Sequence, residues 1–198
     1  MKWIGLTGNL GSGKSTVAQM IREEGYSVLD ADREARLALG PGSPLLKLVK
    51  EKFGPDLFDS QGNLDRKALG KKVFSSPENL RWLEKLIHPE VRSRVEKQRQ
   101  ELEKKGEVLA FYDVPLLDEK KMETLFDGVV VVSASPEFRQ QRVSQRDGLS
   151  EGDFLERDQN QLSMEDKVKR ADWVLKNEGS LEDLRVQIQD LLKTLVEV

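Results

Sequence analysis

The chain contains no cysteine and a single histidine, His88, in 198 residues. The first absence excludes disulfides, thiolate metal sites and a cysteine nucleophile. The second excludes a histidine-rich metal centre. There is no basic excess: 32 Lys and Arg stand against 35 Asp and Glu, a net charge of −3. Without a global positive field for nucleic acid, any phosphate binding has to be local. Long apolar runs are also missing. Continuous apolar stretches such as 108–112 and 129–132 fall far short of the roughly 20 residues that cross a bilayer. The remaining composition, 37% hydrophobic and 34% charged, suits a packed core under heavily solvated helices rather than disorder. A strand reading begins at residue 3 and a glycine-rich loop at residue 8. That leaves no room for a signal or transit peptide, and a cytoplasmic protein is expected.

The glycine-rich loop is the most informative segment present. Gly8-Asn9-Leu10-Gly11-Ser12-Gly13-Lys14-Ser15 fits the spacing G-x-x-x-x-G-K-[ST]. An apolar strand at 3–7 leads in, and Val17, Met20 and Ile21 follow at helical spacing. Glycines at 8, 11 and 13 let the backbone of the loop, Ser12 included, turn its N–H groups around an anion. The start of the following helix adds unpaired N–H groups and a positive dipole end. Lys14 supplies a mobile charge for β- and γ-phosphates. The Ser15 hydroxyl suits Mg²⁺, and Thr16 places a second hydroxyl beside it. A nucleoside triphosphate with Mg²⁺ is the ligand this loop implies.

Continuous rather than alternating apolar runs at 3–7, 26–29, 108–112, 129–132 and 173–175 read as buried parallel strands separated by helices. This is an α/β pattern, a doubly wound five-stranded parallel sheet flanked by helices. Ser76-Pro77-Glu78 and Ser135-Pro136-Glu137 read as helix starts, with serine capping and proline in the first turn. Leu181, Leu184, Ile188, Leu191, Leu192 and Leu195 form the stripe of a last helix, opened by a capping box of Ser180 and Asp183. Residues 33–105 carry helical patterns and turns but no convincing strand, so a helical insertion over the strand ends is expected there.

Chemistry-bearing residues cluster after the strands, where open α/β sheets bind ligands. Asp30-Ala31-Asp32 follows the second strand. Residues two apart on an extended chain point the same way, so both carboxylates are candidates to orient an acceptor hydroxyl or metal-bound water. Capping of the next helix is the alternative, and the spacing does not choose between the two. Asp113 ends the third strand in a Walker-B arrangement suited to Mg²⁺. Val114-Pro115-Leu116-Leu117 is an apolar turn, either a pocket wall or core. Arg139, Arg142 and Arg146 share one helix face, with Arg157 beyond the turn at Asp147-Gly148. As a group they suit a helical lid, at 136–166, that clamps a migrating phosphoryl group. Asn177 follows the fifth strand, where it either touches an adenine or makes a turn.

Taken together these residues resemble the bacterial dephospho-CoA kinases almost end to end. The resemblance runs through Gly5-Leu6-Thr7-Gly8 to Thr16, Asp30-Ala31-Asp32 with Arg36, Pro41-Gly42, Gly62, Leu64, Arg66, Leu69 and Phe74. It continues through His88-Pro89, Asp113-Val114-Pro115-Leu116-Leu117 with Glu119, Gln145-Arg146-Asp147, Gln161, Ala171-Asp172, Asn177 and Gly179. The resemblance implies a P-loop NTPase-type fold similar to adenylate-type kinases, with a helical CoA-binding lobe and a lid. It implies ATP-dependent phosphorylation of the ribose 3′-hydroxyl of dephospho-CoA, with ATP, Mg²⁺ and dephospho-CoA as ligands and neither nucleic acid nor membrane as partner. By resemblance Asp32 is the acid at the acceptor hydroxyl, and Asp113 serves both metal and substrate. Arg142 and Arg146 become lid arginines, while Arg36, His88 and Leu116 fall to the acceptor side and Asn177 to the nucleotide. Asp118 and Asn160 depart from the family pattern, which has a bulkier apolar residue and an alanine there.

Two other readings are weaker. Another small P-loop kinase would share the loop, but the long insertion favours an acceptor larger than shikimate. A GTPase-like switch would read guanine with Asn/Thr-Lys-x-Asp after an apolar strand, and no such segment occurs. Asp59-Ser60-Gln61-Gly62 matches D-x-x-G only in form, in a turn-rich stretch with no strand before it.

Overall fold

Five short strands, β1 (Lys2–Thr7), β2 (Ser27–Asp30), β3 (Leu109–Asp113), β4 (Gly128–Ser133) and β5 (Trp173–Lys176), form one parallel sheet in the order β2-β3-β1-β4-β5. The computed structural model describes residues 1–115, 117 and 122–197. The strands lie within a residue or two of the apolar runs, because a strand covered on both faces has no polar side to alternate with. Tyr26 and Val108 fall just outside, and Val108 is exposed.

The helices are α1 (Lys14–Glu23), α2 (Ala31–Ala38), α3 (Leu45–Phe53), α4 (Arg66–Phe74), α5 (Pro77–Lys104), α6 (Pro136–Asp147), α7 (Glu151–Gln159), α8 (Met164–Arg170) and α9 (Leu181–Glu197). Among the described residues no helix is long and apolar enough to cross a membrane. The chain divides into two compact units, Met1–Asp30 with Leu102–Val198, and Ala31–Glu101.

In the first unit, Ile4, Leu6, Leu109, Phe111, Val130, Val132 and Leu175 pack one sheet face against Val17, Met20 and Ile21 of α1 and the α9 stripe. That stripe buries Leu184, Ile188, Leu191, Leu192 and Leu195, whereas Leu181 is exposed. Ser180 and Asp183 cap α9 reciprocally: the Ser180 N–H donates to Asp183 at 3.0 Å, and the Asp183 N–H donates to the Ser180 hydroxyl at 3.1 Å. On the other face Trp3 stacks on Tyr112 at 5.7 Å. A Cβ at Gly5 would stand 2.6 Å from Leu117 Cδ1, so Leu117 is core rather than pocket wall.

The second unit is helical and has its own core of Leu39, Val49, Leu57, Leu69 and Val73, flanked by Phe53, Trp82, Leu83 and Ile87. Phe53 meets Trp82 edge-on at 5.4 Å. Ser76 caps α5 through the Asn79 N–H at 3.3 Å. The side-chain cap expected from Ser135 is not made: Ser135 holds the cap position and Pro136 opens α6, but the Ser135 hydroxyl accepts no N–H of the first turn. Proline at N1 still lacks one of the N–H groups that a helix start leaves unpaired.

Candidate active site

The loop from Gly8 to Gly13 joins the end of β1 to the start of α1. Gly11 and Gly13 adopt φ of 79° and 89°, left-handed backbone that side chains disfavour. Space forbids side chains there as well. A Cβ at Gly11 would stand 2.5 Å from the Arg139 carbonyl, and one at Gly13 would strike the Asn177 amide. Gly13 occupies the cap position of α1 and, among the described residues, no side chain caps that helix. The N-terminal N–H groups of α1 therefore face a space suited to an anion.

Lys14, the first residue of α1, forms an ion pair with Asp113, the last residue of β3. Both are largely buried, with side chains 17% and 8% exposed. Asp113 lies beside Leu6 of β1 and beside Asp30 of β2 in the parallel register. The strand ends thus set Asp30 in register beside Asp113, the carboxylate that pairs with the lysine of the loop. Ser15 is exposed on the first turn of α1 and Thr16 half-buried.

The donors here are oxygen atoms of Ser15, Asp113 and Asp30, a set that fits Mg²⁺ rather than a softer metal. Among the described residues no group of three or more His, Cys, Asp or Glu gathers as a metal cage.

Asn177, directly after β5, is 6% exposed. Its amide donates to the Ser12 carbonyl at 2.8 Å, and its own carbonyl accepts from Arg142 Nη2 at 2.7 Å. Arg142 also donates to the Ser12 carbonyl at 3.4 Å and lies over the Phe138 ring. The three arginines of α6 do different things. Arg139 is buried and paired with Asp158 of α7. Arg142 reaches the loop. Arg146 is exposed and pairs with Asp147 at 2.6 Å, and that hydrogen bond holds its guanidinium above the ordinary arginine value. Arg157 is exposed in the last turn of α7. The clamp expected of one helix face is therefore split, because burial against α7 takes Arg139 out of it.

Asp32, Arg36 and His88 belong to the second unit. The extended geometry expected of Asp30-Ala31-Asp32 is not observed. α2 starts at Ala31, so Asp30 ends a strand while Asp32 sits in the first turn of a helix. An acid is favoured there by the helix dipole. Asp32 and Arg36 are exposed, and the Arg36 carbonyl accepts from Arg66 at 2.8 Å. His88 is exposed within α5, which continues through Pro89. With Lys85, Pro89, Arg92, Ser93 and Glu96 it lines an open depression. Leu116, Asp118 and Glu119 lie outside the described residues. The D-x-x-G stretch is a plain turn, in which Asp59 accepts from the N–H groups of Gln61 and Asn63 at 2.9 and 2.8 Å.

Sequence reasoning gave no role at the loop to Asn9, Asp158 or Gln161. Asn9 is a variable position of the motif, and its amide donates to the Leu162 carbonyl at 3.1 Å and to Asp158 at 3.4 Å. Gln161 accepts from the Leu10 N–H at 2.8 Å. Burial raises the Asp158 carboxyl, but hydrogen bonding and charge from Arg139, with the Asn9 amide, outweigh it and hold the carboxyl below its ordinary range. It also missed Glu34, buried on α2 and paired with Arg94 of α5 at 3.0 Å.

The chain is similar to known proteins over nearly its whole length. A family model described as dephospho-CoA kinase matches residues 2–183. The dephospho-CoA kinase of Bdellovibrio bacteriovorus is 41% identical over 198 residues, covering 100% of this chain and 98% of its own. A solved Thermus thermophilus protein superposes with a TM-score of 0.84 at 43% identity, over 98% of this chain and 97% of its own. The solved dephospho-CoA kinase of Campylobacter jejuni follows with a TM-score of 0.76 at 29% identity, over the same shares of 98% and 97%.

Proposed function

Because the chain belongs to the dephospho-CoA kinase family, we propose that Lys14 and the loop N–H groups hold the phosphoryl group transferred from ATP, and that Asp32 engages the accepting hydroxyl. The reaction is the ATP-dependent phosphorylation of dephospho-CoA, the last step of coenzyme A synthesis. The accepting group is the ribose 3′-hydroxyl, and the products are CoA and ADP.

Phosphoryl transfer asks a protein for alignment and charge stabilisation more than for covalent chemistry. The observation that carries the reading is Lys14 paired with Asp113 at the strand tips, directly behind a loop whose glycines leave only backbone to face an anion. Residues 8, 11–13 and 14–16 hold the triphosphate. Mg²⁺ would be held by the Ser15 hydroxyl and the Asp113 carboxylate, and would neutralise charge on the β- and γ-phosphates. Arg142 and Arg146, on the helical segment 136–166 that acts as a lid, add positive charge as phosphate moves. Asn177 borders the nucleotide by way of Ser12.

The family resemblance assigns the acceptor to Asp32, to Arg36 and His88 of the helical segment 33–105, and to Asp113 and Leu116. Asp32 follows the last residue of β2 by two positions, at the end of the sheet where α/β enzymes bind ligands. A carboxylate in hydrogen-bond reach is what a neutral alcohol needs to become a nucleophile. Both substrates are small molecules, and the protein meets them in the cytoplasm without nucleic acid or membrane partners.

The test is an ADP-release assay with ATP, Mg²⁺ and dephospho-CoA, the product being identified by mass. One added phosphate and CoA as product bear the reading out. Turnover with a nucleoside monophosphate or another metabolite, and none with dephospho-CoA, overturns it.

A further inference from the structure

We infer that Gln161 and Asp158 are positioning residues for ATP: they latch the outer limb of the phosphate loop, Asn9-Leu10, to the α6–α7 pair and so fix the loop in its anion-binding shape. The inference rests on the reading of that loop as the ATP site and deepens it.

The argument follows single peptide units. A phosphate loop works because its N–H groups already point at the anion before it arrives. A peptide unit free to flip would turn a carbonyl oxygen into the cradle and set partial negative charge against phosphate. In the Asn9–Leu10 unit both ends are held. Its N–H donates to Gln161 Oε1 at 2.8 Å, and its carbonyl accepts from the Ser12 N–H at 3.0 Å. The next unit is held at its carbonyl, where Leu10 accepts from Arg139 Nη1 at 3.4 Å.

Asn9 is 4% exposed, and its amide is tied to the Leu162 carbonyl and to Asp158. Asp158 in turn binds Arg139, with Nη2 at 2.8 Å from Oδ2. Arg139 is 3% exposed. The groups that fix the outer limb therefore come from α6, from α7 and from the turn after α7. None of them reaches the transferred phosphate in the account above, so their influence on ATP passes through the backbone of Asn9 and Leu10.

The experiment compares wild type with Gln161→Leu, Gln161→Glu and Asp158→Asn. The direct readout is a titration with the fluorescent nucleotide mant-ATP. Beside it stand the KM for ATP, the KM for dephospho-CoA and the melting temperature. Gln161→Leu leaves the Leu10 N–H without its acceptor. It is expected to weaken mant-ATP binding about tenfold, as losing the acceptor of a partly buried N–H does. The KM for ATP should rise alike, and the KM for dephospho-CoA should stay within about twofold. Gln161→Glu keeps an acceptor oxygen and should restore ATP affinity to within about threefold of wild type.

Wild-type mant-ATP affinity in Gln161→Leu, an equal loss for both substrates, or a folded Gln161→Glu with no rescue would each overturn the inference. Should Gln161→Leu not fold, Asp158→Asn keeps the shape while losing the charge held by Arg139. A several-fold loss of mant-ATP affinity supports the latch there, and unchanged affinity sinks it. A wild type that binds mant-ATP but leaves dephospho-CoA untouched ends the proposed reaction, while the latch is still judged by binding. A wild type that does not bind mant-ATP ends both.

Discussion

Lys14 and Asp113 stand 99 residues apart in the chain and form an ion pair at the tip of the sheet. The charge that should meet the phosphates is thus aimed by a carboxylate from the neighbouring strand. Lys14→Ala should lower kcat by about 10²-fold or more, as removal of a charge contact to a transition state does. Steady-state assay of ADP release measures it, and an unchanged kcat removes Lys14 from the phosphate.

Asp32→Asn should depress kcat strongly while the KM for ATP stays near wild type. Asp30→Asn serves as the comparison, since Asp30 ends β2 and Asp32 opens the following helix. Loss of ATP binding in Asp32→Asn would reassign Asp32 to the metal or to the fold.

Gly13→Ala meets two obstacles, a φ of 89° and the Asn177 amide in the space of the new methyl group. Left-handed backbone alone costs a side chain about 1–2 kcal/mol. The variant should melt lower and bind mant-ATP at least tenfold more weakly, since relief requires moving the loop. Thermal melts and the titration check both effects.

The Asp158 carboxyl lies below its ordinary range in the folded protein. A depressed carboxylate contributes stability above the unfolded value of about 4 and loses it as pH falls through the folded value. Asp158→Asn should therefore be less stable than wild type at neutral pH, and the gap should close below about pH 4. Urea melts of both proteins across pH 3–7 test this, and a gap that widens on acidification would contradict the assignment.

Arg94→Met leaves Glu34 buried and without its guanidinium partner. Breaking a buried pair from one side costs about 3–5 kcal/mol, less here because the Arg94 side chain is partly exposed, so about 2 kcal/mol is expected. Glu34→Gln with Arg94→Met should recover part of it. Denaturant melts of the single and double variants give the coupling.

Much of the sheet could be read directly. Val129-Val130-Val131-Val132 and Leu109-Ala110-Phe111-Tyr112 are apolar at every position because helices or loops cover both faces, and that pattern marks a parallel strand. The order that inserts β3 between β2 and β1 is set by packing of distant segments, and no local signal carries it. Asp30-Ala31-Asp32 departs from extended alternation for a local reason: the strand ends at Asp30 and helix begins at Ala31. The phosphate loop was legible because its chemistry depends on adjacent residues. Asn9, Asp158 and Gln161 were not, since Asn9 meets Asp158 across 149 residues and Leu10 meets Gln161 across 151. Arg139 looked like its helical neighbours, and only burial against α7 sets it apart.

The bond from Asn177 to Ser12 spans 165 residues, and Lys2 reaches the Leu195 carbonyl across 193. A ribosome delivers the loop 165 residues before the residue that braces it. Until Asn177 has left the exit tunnel, the nascent chain carries the glycine loop without that support, and β5 has not yet docked beside β4. Competence for nucleotide therefore waits for β5 to dock, as a property of the assembled sheet rather than of the motif.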